Sequence, residues 1–375
     1  MTLLSESDAL HARVRAFAES SRETGEHFEQ LALDIARYQA TYNSSFARLI
    51  ERRCAKLESI DDIPAVPTDA FRLTRVATYP AELDVVRFVT SGTSGDEHGI
   101  HPLRTTATYE ALSVAFGRRA LVAGNARHTV VALAPLPEEP ARSSLGFMMA
   151  AFMQAFDGRA LTPAGEPLRI HTSERWLISD RGIDVAGLER AASLAARRCE
   201  PLLLLATSFA LVGLLDTLSG ASLPLPPHSV VMQTGGYKGR TREVPAAELR
   251  EGLSRCFALP ETSLVSEYGM TELCSQLYEG TLPGAELSGP RGVYLAPSWL
   301  RVTPVDPVSL TPVAAGEVGI ARFVDLANID SAVAIVTRDL VRQRESGIEL
   351  LGRSPGAPPR GCSLSIEALL SAASS

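Results

Sequence analysis

From Val66 onward the chain alternates short apolar, β-branched runs with stretches of helical spacing, and this alternation constrains the fold more than any other feature. Residues 85–89 (VVRFV), 129–133 (TVVAL) and 229–232 (SVVM) have the length and branching of strands, whereas residues 186–198 carry a helical pattern. Strands interleaved with helices bury their apolar faces by packing as layers, so the expected fold class is α/β with layered sheets. A chain of 375 residues is long enough for a large core or two closely packed subdomains, which excludes a disordered tail or a disulfide miniprotein. From about residue 293 the strand-like runs crowd together (299–302, 319–324 and 332–336), which predicts a smaller β-rich part closing the domain.

The amino-terminal segment reads differently. Residues 26–63 contain no Gly or Pro, and Phe28, Leu31, Ile35, Tyr38, Tyr42, Phe46 and Leu49 recur at steps of three and four. That spacing predicts one amphipathic helix, and the few heptads before Pro64 favour packing on its own domain over a coiled coil. The expected organisation is a helical lead-in over 1–65, an α/β domain over 66–353, and a tail over 354–375 whose Pro/Gly tether carries Cys362. The most apolar run, 201–215, is shorter than the roughly 20 residues of a membrane span and reads as a buried helix.

Acidic residues outnumber basic ones, 43 to 36, and the two signs are mixed along the chain. No basic stripe exists to neutralise a phosphate backbone, which argues against nucleic acid and leaves small molecules or proteins as partners. Charges at Glu6, Asp8, Arg13 and Arg15 break the amino terminus, so no signal peptide is expected. Five widely spaced cysteines without a Cys-x-x-Cys pair predict reduced thiols and a cytoplasmic location, with neither disulfides nor a zinc knuckle.

Three stretches can carry chemistry. Thr90-Ser91-Gly92-Thr93-Ser94-Gly95 follows a predicted strand and interleaves four hydroxyls with two glycines. Such a loop can turn backbone N–H groups and hydroxyls into one concavity, as a phosphate cradle requires; a flexible connector is the alternative. Neither a P-loop nor a Gly-x-Gly-x-x-Gly run is present. In Thr234-Gly235-Gly236-Tyr237-Lys238-Gly239-Arg240, paired glycines at a strand end allow a flat ligand near the backbone, and Lys238 or Arg240 can meet an anion; otherwise this is a tight turn. In Ser266-Glu267-Tyr268-Gly269-Met270-Thr271-Glu272, an aromatic ring, a hydroxyl and a carboxylate can stack a base, bond a phosphate and hold Mg²⁺, unless Thr271 simply caps a helix.

In this order, followed by Thr337-Arg338-Asp339-Leu340 and Gly352-Arg353, the motifs resemble those of the AMP-forming adenylating enzyme superfamily. Within it the chain is most similar to the acyl-protein synthetases of bacterial bioluminescence fatty acid reductase systems, through its short length, residues 235–240 and the ending Arg360-Gly361-Cys362-Ser363-Leu364. The resemblance runs from about Val66 to the tail. It implies the layered large domain of an adenylate-forming enzyme, with ATP and Mg²⁺ as cofactors. It further implies that Thr90, Ser91, Gly92, Thr93, Ser94 and Gly95 grip the β- and γ-phosphates, and that Gly235 and Gly236 flank the adenine. Tyr268 would stack on the base beside Gly269, Thr271 would touch the α-phosphate and Glu272 would hold Mg²⁺. Asp339 would bind the ribose hydroxyls, with Arg353 close to the same nucleotide. The implied activity is conversion of a carboxylic acid, a fatty acid in this family, to an acyl-adenylate, then transfer to a thiol for an acyl-CoA reductase-like or acyltransferase partner. An apolar lining of Leu145, Phe147, Met148, Phe152 and Phe156 is expected for the acid.

Two departures shape the reading. The phosphate loop continues into Asp96-Glu97-His98 where many superfamily members have Pro-Lys, so the positive charge is expected from His98, His101 or Arg104. His98 and His101 also make a conceivable metal pair, although without a third ligand they read as exposed loop histidines. The chain is further expected to lack the mobile carboxyl-terminal domain and its lysine, with tethered Cys362 as the acyl acceptor. Other readings are activation of an aryl or short-chain acid with a carrier-protein or coenzyme A thiol as acceptor, or a non-catalytic nucleotide-binding scaffold.

Overall fold

A computed structural model of the chain describes residues 2–19, 27–53, 56–90, 98–157, 174–235 and 244–354. Its helices are α1 (Leu3–Glu19), α2 (Phe28–Tyr42), α3 (Ser44–Arg53), α4 (Ala70–Leu73), α5 (Ala107–Leu121), α6 (Ser144–Phe156), α7 (Val185–Arg197), α8 (Ser208–Leu218) and α9 (Ala246–Phe257). The strands are β1 (Val66–Pro67), β2 (Val86–Val89), β3 (Ile100–Leu103), β4 (Thr129–Pro135), β5 (Trp176–Ser179), β6 (Gly182–Ile183), β7 (Leu202–Thr207) and β8 (Val230–Thr234). They continue with β9 (Leu264–Tyr268), β10 (Leu277–Glu279), β11 (Val293–Leu295), β12 (Leu300–Val305), β13 (Val318–Asp325), β14 (Ala334–Gln343) and β15 (Ile348–Arg353). The class is mixed α/β, as the alternation predicts.

Two predicted elements are divided. The single helix expected over 26–63 is α2 and α3, because Asn43 leaves the helical conformation (φ −127°, ψ 100°) and its side-chain oxygen accepts the Phe46 N–H at 3.0 Å. A polar side chain that caps the next helix ends the previous one even where no Gly or Pro is present. The run 201–215 is not one helix either: Leu202 to Thr207 form β7, and α8 starts at Ser208. Strand and helix are both apolar all round here, so no periodicity separated them; β7 is decided by its parallel ladders to β4 and β8. Among the described residues no helix is long and apolar enough to cross a membrane.

The chain divides into two compact units, Met1–Ser113 with Met270–Gln276 and Leu295–Ser375, and Val114–Gly269 with Leu277–Tyr294. In the second unit the strand order is β10-β9-β8-β7-β4-β5-β6, parallel from β9 through β5 and antiparallel at both ends. Leu204, Ala206, Val231 and Leu264 face α7, α8 and α9 in one buried cluster. On the opposite face the Phe116 and Tyr278 rings meet at 5.6 Å, and the Phe152 ring lies so close to Gly117 that a Cβ there would sit 2.5 Å from it. Buried Arg175 and Asp157, 3.0 Å apart, both bond the Val130 backbone and tie the end of α6 to β4.

In the first unit β12, β13, β14 and β15 form an antiparallel sheet with β1 parallel to β14, and β2 pairs with β3 in a separate ribbon. The amino-terminal helices are fastened to this unit through one buried carboxylate. Asp330 accepts hydrogen bonds from Ser7 Oγ (2.7 Å), His11 Nε2 (3.0 Å) and Tyr38 Oη (2.8 Å), with Arg104 Nε at 3.4 Å. Burial pushes the Asp330 carboxyl up, but the bond and charge of His11 and the Ser7 and Tyr38 hydroxyls outweigh it and bring it down to about 2. A depressed carboxyl adds stability above its unfolded value, near 3.9, and that stability is lost as pH falls through about 2. Asp330→Asn is therefore expected to destabilise the protein at pH 6 by about 2 kcal/mol and much less near pH 2, read from denaturant midpoints. Equal losses at both pH values would show that the charge does not matter.

Candidate active site

The neck of the hydroxyl-rich loop is built by Thr90, just past β2. Its N–H donates to the Gly99 carbonyl at 2.9 Å, and its Oγ1 accepts the Gly99 N–H at 2.8 Å. A Cβ at Gly99 would lie 3.0 Å from Thr90 Cγ2, so glycine lets the two chain segments close. His98 Nδ1 donates to the Thr90 carbonyl at 2.9 Å. Ser91, Gly92, Thr93, Ser94 and Gly95 lie outside the described residues.

The cation expected near this loop is not His101. That residue is wholly buried on β3, where Nδ1 donates to the Thr271 carbonyl at 2.7 Å and Nε2 accepts from Ser331 Oγ at 2.9 Å. Burial lowers its pKa to about 4, partly countered by the Thr271 bond, so the ring is neutral at pH 7 and both nitrogens are engaged. It is neither an exposed loop histidine nor half of a metal pair. Arg104 is committed as well, to Asp8 at 2.6 Å and Ser7 at 2.7 Å, where it anchors α1.

His101 instead supports the segment that carries Thr271 and Glu272. No helix begins at Thr271: the backbone turns after β9, and buried side chains hold it at successive points. His101 takes the Thr271 carbonyl, and Asn328 Nδ2 donates to the Glu272 carbonyl at 2.9 Å. Asp325 accepts the Cys274 N–H at 3.0 Å and the Ser275 hydroxyl at 2.7 Å, while Trp299 Nε1 donates to Ser275 Oγ at 3.1 Å. Burial pushes the Asp325 carboxyl up to about 6, against the pull of these donors. The supports at Thr271 and Glu272 fall on main-chain carbonyls, so the half-buried side chains of both are set on a fixed backbone.

Asp339 and Arg353, predicted near one nucleotide from separate motifs, are brought together. They are register partners on β14 and β15, with carboxylate and guanidinium 3.8 Å apart. Asp339 N–H is tied to Thr337 Oγ1 at 3.0 Å, and Gly352, at φ +97°, turns the chain immediately before Arg353.

In the second unit Gly235 and Tyr268 leave the carboxyl ends of neighbouring parallel strands, one step beyond the register pair Thr234 and Glu267. Gly235 has φ +70°, a conformation that favours glycine, and its carbonyl accepts from Ser208 Oγ at 2.6 Å. Tyr268 is half-buried, its ring edge-on to Tyr294 at 6.4 Å, and Gly269 follows it. Gly236, Lys238 and Arg240 lie outside the described residues, as does Cys362. On α6, Met148, Phe152 and Phe156 are buried, and Leu145 and Phe147 are half-buried.

Sequence reasoning missed Asn328, Asp325, Ser331 and Trp299, which support the 271–275 segment from far along the chain; no local motif marks them. Glu267, within the 266–272 motif, has no role that the sequence alone assigns. That carboxyl is buried, accepts a hydrogen bond from Thr234 Oγ1, and is raised by burial to about 7.

The family model described as acyl-protein synthetase, LuxE, matches residues 2–371. Among solved structures the chain is similar to 2-hydroxyisobutyryl-CoA ligase in an open conformation with 2-HIB-AMP and CoA, at TM-score 0.58 and 10% identity over 86% of this chain and 73% of that one. The same ligase in the postadenylation state with 2-HIB-AMP gives TM-score 0.58 and 12% identity over 86% and 67%. In the thioesterification state with 2-HIB-AMP and CoA it gives 0.57 and 12% over 94% and 69%. At these identities the likeness is one of fold. No curated protein sequence gives a significant match. With its whole described length inside the family match and its fold shared with that ligase, the chain belongs to the LuxE family of acyl-protein synthetases.

Proposed function

We propose that this protein uses Mg·ATP to convert a carboxylic acid, a fatty acid by family resemblance, to an acyl-adenylate, and passes the acyl group to the thiol of Cys362. The observation that carries this reading is the Thr271–Glu272 segment, whose carbonyls are held by His101 and Asn328 while a hydroxyl and a carboxylate project from fixed backbone. Phosphoryl chemistry needs such positioning more than it needs covalent help from the protein.

A carboxylate oxygen of the acid attacks the α-phosphorus, the bond to the β-phosphate oxygen breaks, and pyrophosphate leaves. Thr271 bonds the α-phosphate, Tyr268 stacks on the base, Gly235 lets the adenine approach the backbone, and Asp339 accepts from the ribose hydroxyls. Thr90 and the loop after it hold the outer phosphates. Glu272 offers a single carboxylate, a donor that suits Mg²⁺ when phosphates and water complete the shell; among the described residues no three His, Cys, Asp or Glu side chains gather into a site of their own. When bound, that ion supplies positive charge to the phosphate oxygens. The Cys362 sulfur then attacks the acyl carbon, AMP departs, and the thioester serves a reductase or acyltransferase partner. The buried thiols are poor rivals: burial and the nearby Asp325 and Asp330 charges push the Cys274 pKa well up, and burial raises that of Cys256.

Trapping with hydroxylamine tests the first half of the reaction: acid- and ATP-dependent hydroxamate should form, and its absence with every acid offered would contradict the assignment. Losing a charged hydrogen-bond partner costs about 1.5–3 kcal/mol, so Asp339→Ala should weaken ATP binding roughly tenfold to a hundredfold by calorimetry. Unchanged affinity would remove Asp339 from the nucleotide site.

A further inference from the structure

Three hydroxyl and carboxyl side chains lie in one row across the end of the parallel sheet in the second unit. Thr207 on β7 is the register partner of Thr234 on β8, which is the partner of Glu267 on β9. Paired residues share a sheet face, and these three alternate away from Leu204, Ala206, Val231 and Leu264, which serve the α7–α9 core. The row therefore lies on the opposite face, where Tyr278, the β10 partner of Glu267, meets Phe116 of α5. It is the last row before Gly235 and Gly269, at the strand ends where open α/β sheets take their ligands.

The hydrogen bonding of this row is incomplete. Thr207 sits at the N-cap of α8 yet makes no capping bond, and its buried Oγ1 has no hydrogen-bond partner. Thr234 spends its proton on Glu267. Glu267 is 5% exposed, and among the described residues no cation pairs with it, so that hydroxyl stands almost alone against the cost of burying a carboxyl. The buried Thr207 hydroxyl on β7 and the buried Glu267 carboxyl on β9 flank Thr234 of β8, and each is short of the partners that a ligand placed over the row would supply.

We propose that Thr207, Thr234 and Glu267 recognise a hydrogen-bond donor on the body of the acid, so that the substrate is a hydroxyl- or amino-substituted carboxylic acid rather than a plain alkyl one. This narrows the activating reaction proposed above and rests on it. A hydroxyl donates to Glu267 and accepts from Thr207; an ammonium group donates to both.

The test compares decanoic acid with its hydroxyl, amino and methoxy derivatives, carrying the group beside the carboxyl, at mid-chain or at the chain end, in acid-dependent pyrophosphate exchange. One hydroxyl or amino acid should exceed both decanoate and its own methyl ether at least about tenfold in kcat/KM. Thr207→Val, which keeps shape, and Glu267→Leu should erase that preference while decanoate exchange persists; melting curves check that both variants fold. Glu267→Gln should harm an amino acid more than a hydroxyl acid, which separates the two sources of the donor. If decanoate serves the wild type as well as every derivative, or if the preference survives in Thr207→Val and Glu267→Leu, the recognition row is wrong while the activating reaction stands. If no acid supports exchange although ATP binds, the activating reaction itself fails and this inference falls with it.

Discussion

Cys362→Ser is expected to abolish covalent labelling of the protein by radioactive acid and ATP while leaving acid-dependent pyrophosphate exchange in place. On the proposed reaction the two activities separate, because adenylation uses the nucleotide-binding residues whereas acyl capture uses the thiol of Cys362, which follows the Pro/Gly-rich sequence 354–361. A thiol with a pKa near 8.5 is a few per cent thiolate at neutral pH, and that fraction is a strong nucleophile; a serine hydroxyl with no partnered base is not. The label on the wild type should be released by neutral hydroxylamine, as a thioester is, and should map to the peptide after Arg360. Label that persists in the serine variant and maps to exposed Cys199 would overturn the tethered thiol. A wild type that never labels yet activates its acid would point to a carrier-protein or coenzyme A thiol instead.

The second large effect is expected at Glu272. Glu272→Gln keeps the size of the side chain and leaves the two carbonyl supports from His101 and Asn328 untouched, so the protein should still fold, as a melting curve would show. If Glu272 holds Mg²⁺ as proposed, removing its charge should lower exchange about a hundredfold to a thousandfold, the scale found when one preorganised electrostatic partner of a transition state is lost. A variant within a few fold of the wild type would remove Glu272 from the metal's coordination, and a variant that unfolds would make its carboxylate structural.

The α/β class was legible because strand runs such as 129–133 and helical stretches such as 186–198 differ in period, and period survives in sequence. Where period is silent, reading failed. The fully apolar 201–215 run hid a strand and a helix, and the Asn43 break left no Gly or Pro to mark it. The site shows the same division. Thr271, Glu272, Asp339 and Arg353 stand out as candidates because the motifs that contain them are contiguous in sequence. Their supports are not: His101, Asn328 and Asp325 act on Thr271, Glu272 and Cys274 through contacts that only folding creates. His101 shows how a plausible reading inverts, since a histidine beside a polar loop suggests charge, yet burial between Thr271 and Ser331 keeps it neutral.

The most direct test of the account is exchange of labelled pyrophosphate into ATP, measured with folded full-length protein, Mg²⁺ and a broad panel of carboxylic acids. Exchange is expected to require both the acid and Mg²⁺, to survive Cys362→Ser and to collapse in Glu272→Gln. Exchange indistinguishable from background with every acid, in protein shown by calorimetry to bind ATP, would contradict it and leave a nucleotide-binding subunit without activating chemistry.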